Sequence, residues 1–148
     1  MAIPKRKKKI APATRATARP QAVVSLDQLR CCKDLQEWPS RWMESAVDIL
    51  PGEQLVVCFR PFIDHLIQLQ LSRGTICKHV DNLWVLGGEI IRDLNETRKL
   101  RKIPIPKLLF DTVEEDGPLP YGWEPDAALA SFESTCRKLR RFLELQFK

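Results

Sequence analysis

Two histidines and one tyrosine are all that the 148-residue chain holds of those residues. It also lacks a run of about 18 apolar residues, a C-x-x-C pair and a Gly-rich phosphate loop of either common type. Each absence removes a class of function. Without such an apolar run there is no helical membrane span, and a basic N-terminus with no apolar h-region does not read as a secretory signal. The expectation is a soluble, cytoplasmic protein, nucleoid-associated if DNA is its ligand. The five cysteines, at 31, 32, 58, 77 and 136, are odd in number and scattered, as a reducing cytosol permits, so free and mostly buried thiols are expected. Cys77 and His79, two apart, point to different sides of a helix, and a zinc site would need Cys58 or His65 brought in by packing; no metal is expected. His65 lies beside an apolar stripe and reads as a partly buried helix residue, because no carboxylate-flanked serine or cysteine nucleophile accompanies it. No cofactor, no catalytic residue and no enzymatic activity are expected.

What is present is charge and helical periodicity. Met1 to Pro20 carries Lys5, Arg6, Lys7, Lys8, Lys9, Arg15 and Arg19 with no acidic residue. Taking these seven from the chain's 24 Lys and Arg leaves 17 basic against 19 acidic residues, a net of −2 outside this tail. Residues 1–22 are therefore expected to form a disordered basic arm, with Ala, Pro and Thr between the charges and little to bury. Lys5 to Lys9 either attract phosphate without regard to sequence, act as a nuclear-localisation signal, or simply solubilise. Residues 23–148 are enough for one core, read as a single helical domain.

Within that domain Ser25 and Gln28 form a capping-box pattern that opens a helix to about Glu37, with Leu26, Leu29 and Leu35 inward. Trp38-Pro39-Ser40 breaks it, Ser40 caps a short helix from Arg41 to Leu50 with Trp42, Ala46 and Ile49 or Leu50 on one face, and Pro51-Gly52 ends that one. A central hairpin spans 53–94. Leu55, Phe59, Phe62, Leu66 and Leu69 fall on one helical stripe, with a kink or restart expected between Val57 and Pro61. Ile76, Val80, Leu83, Gly87, Ile90 and Leu94 repeat the spacing after a cap at Ser72. The Gly87-Gly88 pair costs roughly 1 kcal/mol per glycine relative to alanine, which points either to a close approach by a neighbour or to a hinge. Ile103-Pro104-Ile105-Pro106 predicts extended backbone, Lys107 to Val113 one more helical turn, and 114–125 a long loop whose Leu119, Tyr121 and Trp123 either fold onto the core or face a partner. A last helix, 126–147, is capped by Asp126 and buries Leu129, Phe132, Cys136, Leu139 and Leu143. The predicted fold is all-α, a compact bundle of five or six helices.

The run Phe62-Ile63-Asp64-His65-Leu66, Leu71-Ser72-Arg73-Gly74-Thr75-Ile76 and His79-Val80-Asp81-Asn82-Leu83 resembles the helical core-binding domain of tyrosine recombinases and phage integrases. In that family an F-x-x-x-L and L-S-x-x-T-I pattern builds the first two helices of a small bundle that clamps DNA. The resemblance covers about 40 residues, and the stretch beyond Leu94, about 50 residues, is too short for the family's catalytic domain. Neither histidine fits its His-x-x-Arg motif, since Gln68 and Asn82 stand three places on, and Tyr121 has no histidine or arginine cluster beside it. Strand cleavage is not expected from that pattern.

The residues support two functional readings. In the first the chain is a non-enzymatic DNA-associated module, a stand-alone relative of an integrase core-binding domain. Arg73, Lys78 and His79 meet DNA, Arg98, Lys99, Arg101 and Lys102 grip phosphate, and Lys5, Arg6, Lys7, Lys8 and Lys9 add general attraction. In the second it is a protein-interaction or assembly module that presents Tyr121 and Trp123, or the last helix with Arg137, Lys138, Arg140 and Arg141, to a protein partner. The basic patch of that helix also reads as a solvated face that complements the helix dipole. The net negative charge outside the tail favours the second reading.

Overall fold

Helical periodicity sets every element: the computed structural model holds no strand among its described residues, which are 25–114, 117–123 and 126–146. The basic arm lies outside them. Three single turns of 3₁₀ helix, Leu26–Gln28, Arg30–Cys32 and Leu35–Glu37, lead into α1 (Trp38–Trp42). A further 3₁₀ turn, Ala46–Asp48, feeds α2 (Ile49–Gln68), which turns back into α3 (Arg73–Glu96). The turn Arg98–Lys102, α4 (Ile105–Thr112) and α5 (Ala127–Gln146) complete the all-α bundle.

The single helix expected over 25–37 is replaced by separate turns, and the reason is the spacing of the apolar residues. Leu26, Leu29, Cys32, Leu35 and Trp38, all buried, recur every three residues, the period of a 3₁₀ helix rather than 3.6. Leu29 adopts extended backbone (φ −82°, ψ 130°) and resets the direction between turns. Gln28 Oε1 accepts from the Ser25 N–H at 3.2 Å, as the capping pattern predicts.

Prolines open helices here rather than close them. Pro39 lies in the first turn of α1, Pro51 in that of α2 and Pro106 in that of α4, positions where a missing N–H leaves no intrahelical bond unmade. This corrects three expectations: Trp38-Pro39-Ser40 starts a helix, Pro51-Gly52 does not end one, and Ile105-Pro106 belongs to α4. Gly52 is required because a Cβ there would stand 2.9 Å from the Pro39 Cβ. α2 also runs through Pro61 without a break. The carbonyl deprived by Pro61 belongs to Val57 on the exposed face, where water can satisfy it.

α2 buries Leu55, Phe59, Phe62, Ile63, Leu66 and Ile67, but Leu69, placed on that stripe by its spacing, is 55 % exposed because it lies one residue beyond the helix. Gln70 turns the chain in the left-handed region at φ 61°, and Ser72 Oγ accepts from the Thr75 N–H at 3.1 Å to cap α3. The glycine pair within α3 is explained by an indole. Trp42 lies directly over Gly87, stacks on Trp84 with ring centroids 5.6 Å apart, meets Phe59 edge-on, and donates from Nε1 to the Trp84 carbonyl at 3.0 Å. At the far end of the chain, Asp126 Oδ1 accepts from the Leu129 N–H at 3.1 Å and caps α5.

The cysteines depart from expectation. The turn Arg30–Cys32 packs against the first turns of α3, and Cys31 is joined to Cys77 in a disulfide, with the two Cα atoms 5.6 Å apart. Cys32, Cys58 and Cys136 are free thiols.

The Trp42 packing makes opposite predictions for adjacent glycines. Gly87→Ala forces a methyl group into the indole and lowers unfolding stability by about 1–3 kcal/mol, whereas Gly88→Ala, whose Cβ would meet Trp42 at 3.4 Å, is neutral or stabilising by up to about 1 kcal/mol. Urea unfolding of the two variants side by side checks this; equal losses would contradict it.

Candidate interaction surfaces

One buried carboxylate organises the basic turn after α3. Asp48, fully buried, accepts from the backbone N–H groups of Glu44 at 2.8 Å and Ser45 at 3.2 Å, from Asn95 Nδ2 at 3.0 Å and from Arg101 Nη2 at 2.8 Å. Burial pushes its acid strength one way and these bonds the other: desolvation raises the pKa, but the hydrogen bonds from Arg101, Asn95, Glu44 and Ser45 win and hold it at about 2. Arg101 is thereby committed to the fold, and Asn95 Oδ1 accepts a second bond from it at 3.1 Å. Arg101, expected to grip phosphate, is thus held by Asp48 and Asn95 through its Nη2. Arg98, Lys99 and Lys102 remain exposed on the same turn.

A second polar layer lies between α3 and α5. His79 is buried with its Nδ1 2.6 Å from Thr135 Oγ1, and Asn82 Nδ2 donates to Thr135 Oγ1 at 2.8 Å and to Ser131 Oγ at 3.1 Å. Residue 79 pairs with 135 and residue 82 with 131, so the two helices run antiparallel. His79, expected beside Arg73 and Lys78 as a DNA contact, is instead buried, because the i+3 spacing from Ile76 puts it on the core side of α3. Burial, and then the nearby Lys138 ammonium, push its pKa below the usual imidazole value and keep it neutral.

Arg73 and Lys78 are exposed on the first turns of α3. At 1.5 Å per residue α3 separates Arg73 from the Arg98–Lys102 turn by about 36 Å and Lys78 by about 27 Å, so the two expected DNA contacts do not form one patch. Lys5, Arg6, Lys7, Lys8 and Lys9 lie outside the described residues. On α5, Arg137, Lys138 and Arg141 are exposed, while Arg140 lies over the Phe110 ring at 4.0 Å, bonds Glu144 at 3.3 Å and donates to the Phe110 carbonyl at 3.4 Å. In the long loop Trp123 folds edge-on against Phe132, with centroids 5.7 Å apart, whereas Tyr121 is 73 % exposed beneath the Arg92 guanidinium at 3.8 Å.

Reactive groups are quiet. Burial raises the Cys32 thiol to about 11 and the Cys58 thiol above its usual value, leaving both protonated at neutral pH. His65 is half-buried against Phe142, with ring centroids 5.1 Å apart. Among the described residues no three His, Cys, Asp or Glu side chains are placed to hold a metal ion.

The least expected surface is apolar. Val47, Leu50 and Pro51 form one wall of an open groove and Ile103, Pro104 and Pro106 the other, with Arg101 and Lys102 the charged residues that line it. Leu50, expected to point inward as an alternative to Ile49, is 62 % exposed. From the groove an exposed stripe continues along α2 through Val57, 67 % exposed, to Pro61. The spacing 47, 50, 54, 57, 61 is a second helical stripe, masked in the sequence by the stronger core stripe of the same helix.

Comparison of the chain with family models, with curated proteins and with solved structures returns no match.

The neutral, buried state of His79 sets a pH dependence. A histidine whose folded pKa is depressed contributes stability that is complete above its unfolded pKa, about 6.5, and is lost as pH falls below it. Unfolding stability is expected to drop between pH 7 and pH 5, about 6.5 being the point where the loss begins, and His79→Gln flattens that limb; a His79→Gln profile parallel to the parent's would contradict it.

Proposed function

We propose that the chain is a non-enzymatic helical module that acts by docking protein, through the apolar groove and the stripe that continues it on α2. The observation that carries this reading is the exposure of large apolar side chains, Leu50 and Val57 on one face of α2 and Val47 in the turn just before it, on the side of α2 opposite its buried face. A soluble chain rarely leaves such a stripe on its surface without a partner for it. The absence of activity rests on the chemistry of the groups present: the buried histidine is neutral and hydrogen-bonded, the buried carboxylate is ion-paired, and the free thiols at 32 and 58 are held protonated. No helix among the described residues is long and apolar enough to cross a membrane. A cytoplasmic location goes with this reading only with the Cys31–Cys77 pair reduced, since that compartment keeps thiols reduced.

DNA binding is the second reading, supported by Arg98, Lys99 and Lys102 exposed together on one turn and by the basic arm. A relationship to integrase core-binding domains belongs to this reading and rests on the 55–94 pattern alone. Against it weigh the burial of His79, the pairing of Arg101 with Asp48 and the distance between the remaining cations.

Duplex-binding titrations of the full chain separate the two. On the protein-docking reading any DNA affinity disappears when Lys5, Arg6, Lys7, Lys8 and Lys9 are all replaced by alanine, and reversing Arg98, Lys99 and Lys102 to glutamate leaves it unchanged. Affinity that survives the first change, is lost with the second, and weakens about tenfold or more between 50 and 200 mM salt would instead establish DNA as the ligand.

A further inference from the structure

The exposed stripe of α2 is polarised along its length. At the N-terminal end the groove is bordered by Arg101 and Lys102, with Arg98 and Lys99 exposed on the same turn. Toward the C-terminal end stand the exposed Asp64 and the carbonyl end of the helix, where cations are favoured. Between these ends the exposed positions on the face are Leu50, Gln54, Val57 and Pro61, flanked by Glu53. Leu50 and Asp64 are each seven residues, two helical turns, from Val57.

We propose that this face pairs with the same face of a second copy of the chain, the two α2 helices lying antiparallel about a two-fold axis at Val57. The inference rests on the protein-docking reading and names its partner. In this arrangement Val57 meets Val57, and each Leu50, two turns before the axis, stands opposite the partner's Asp64, two turns after it, so that Asp64 and the carbonyl end of each helix face the Arg101 and Lys102 that border the other's groove. A parallel arrangement would set Lys102 against Lys102 and Asp64 against Asp64, so charge selects the antiparallel one. The arrangement is isologous and closes at two copies. A single helix face with part of one groove provides less than the roughly 800 Å² per partner of a standard interface, which makes the association weak and reversible, with Kd in the range of about 10–100 µM.

Sedimentation equilibrium of the full chain tests this. Mass is expected to rise from one chain toward two as concentration increases from about 10 µM to about 1 mM, in step with that Kd. Val57→Asp weakens association at least about tenfold by burying a charge at the axis. Lys102→Glu and Asp64→Lys, both at exposed positions that leave the core untouched, each weaken it, and the two together restore it. Far-UV circular dichroism confirms that every variant is folded. A chain that stays monomeric at about 1 mM, an association that Val57→Asp leaves intact, or a charge-swapped double variant that is not rescued overturns the inference. Monomeric behaviour would leave the protein-docking reading in place with a different partner, whereas failure of that reading appears separately, as DNA binding that survives neutralisation of the tail.

Discussion

Asp48 is the point on which the surface features depend. It is a fully buried carboxylate, and the desolvation that would otherwise raise its pKa is overcome by four hydrogen bonds drawn from three parts of the chain. Two come from the backbone just before it, one from the end of α3 through Asn95, and one from the turn after α3 through Arg101. The walls of the groove belong to the first and third of these parts: Val47 and Leu50 adjoin Asp48, and Lys102 and Ile103 adjoin Arg101. The ion pair is thus the tie that holds the two walls at their spacing. It also decides which cation of the basic turn is structural and which face solvent. A carboxylate so depressed contributes stability that is complete above about pH 4 and is lost as pH falls toward about 2.

The interior beyond this tie is built from two other specific contacts. Trp42 over Gly87 fixes α1 across α3, and the indole bond to the Trp84 carbonyl sets its depth. The His79, Asn82, Ser131 and Thr135 layer fixes the register of α5 against α3, because polar groups this deep are satisfied at only one relative position of the helices. Between them these contacts leave Leu50 and Val57 exposed on the outer face of α2 among the described residues.

Long helices are legible in this sequence and short elements are obscure, for physical reasons. The stripes from Leu55 to Leu66 and from Ile76 to Leu94, the Ser72 and Asp126 caps, and a close approach at Gly87 all follow from period and capping. The prolines read as terminators because a missing N–H forbids a helix interior, but the same residue is tolerated in a first turn, and only tertiary packing decides which applies at 39, 51 and 106. The period of three from Leu26 to Trp38 is present in the sequence, yet over so few residues it reads as the start of a longer helix. At the candidate surfaces, the exposure of Arg73, Lys78, Arg98, Lys99 and Lys102 is readable from their positions. The hydrogen bond that holds His79 and the capture of Arg101 are not, since each depends on a partner about 50 residues away in sequence, Thr135 and Asp48.

Coupling of the two groove walls by the Asp48–Arg101 pair is the claim that everything at the surface leans on. A double-mutant cycle with Asp48→Asn, Arg101→Met and the combination, read by urea unfolding at neutral pH, tests it most directly. The predicted coupling energy is about 1.5 kcal/mol or more, with amide hydrogen exchange faster in 98–103 for each single variant. Additivity within about 0.5 kcal/mol, with exchange in that turn unchanged, would contradict it.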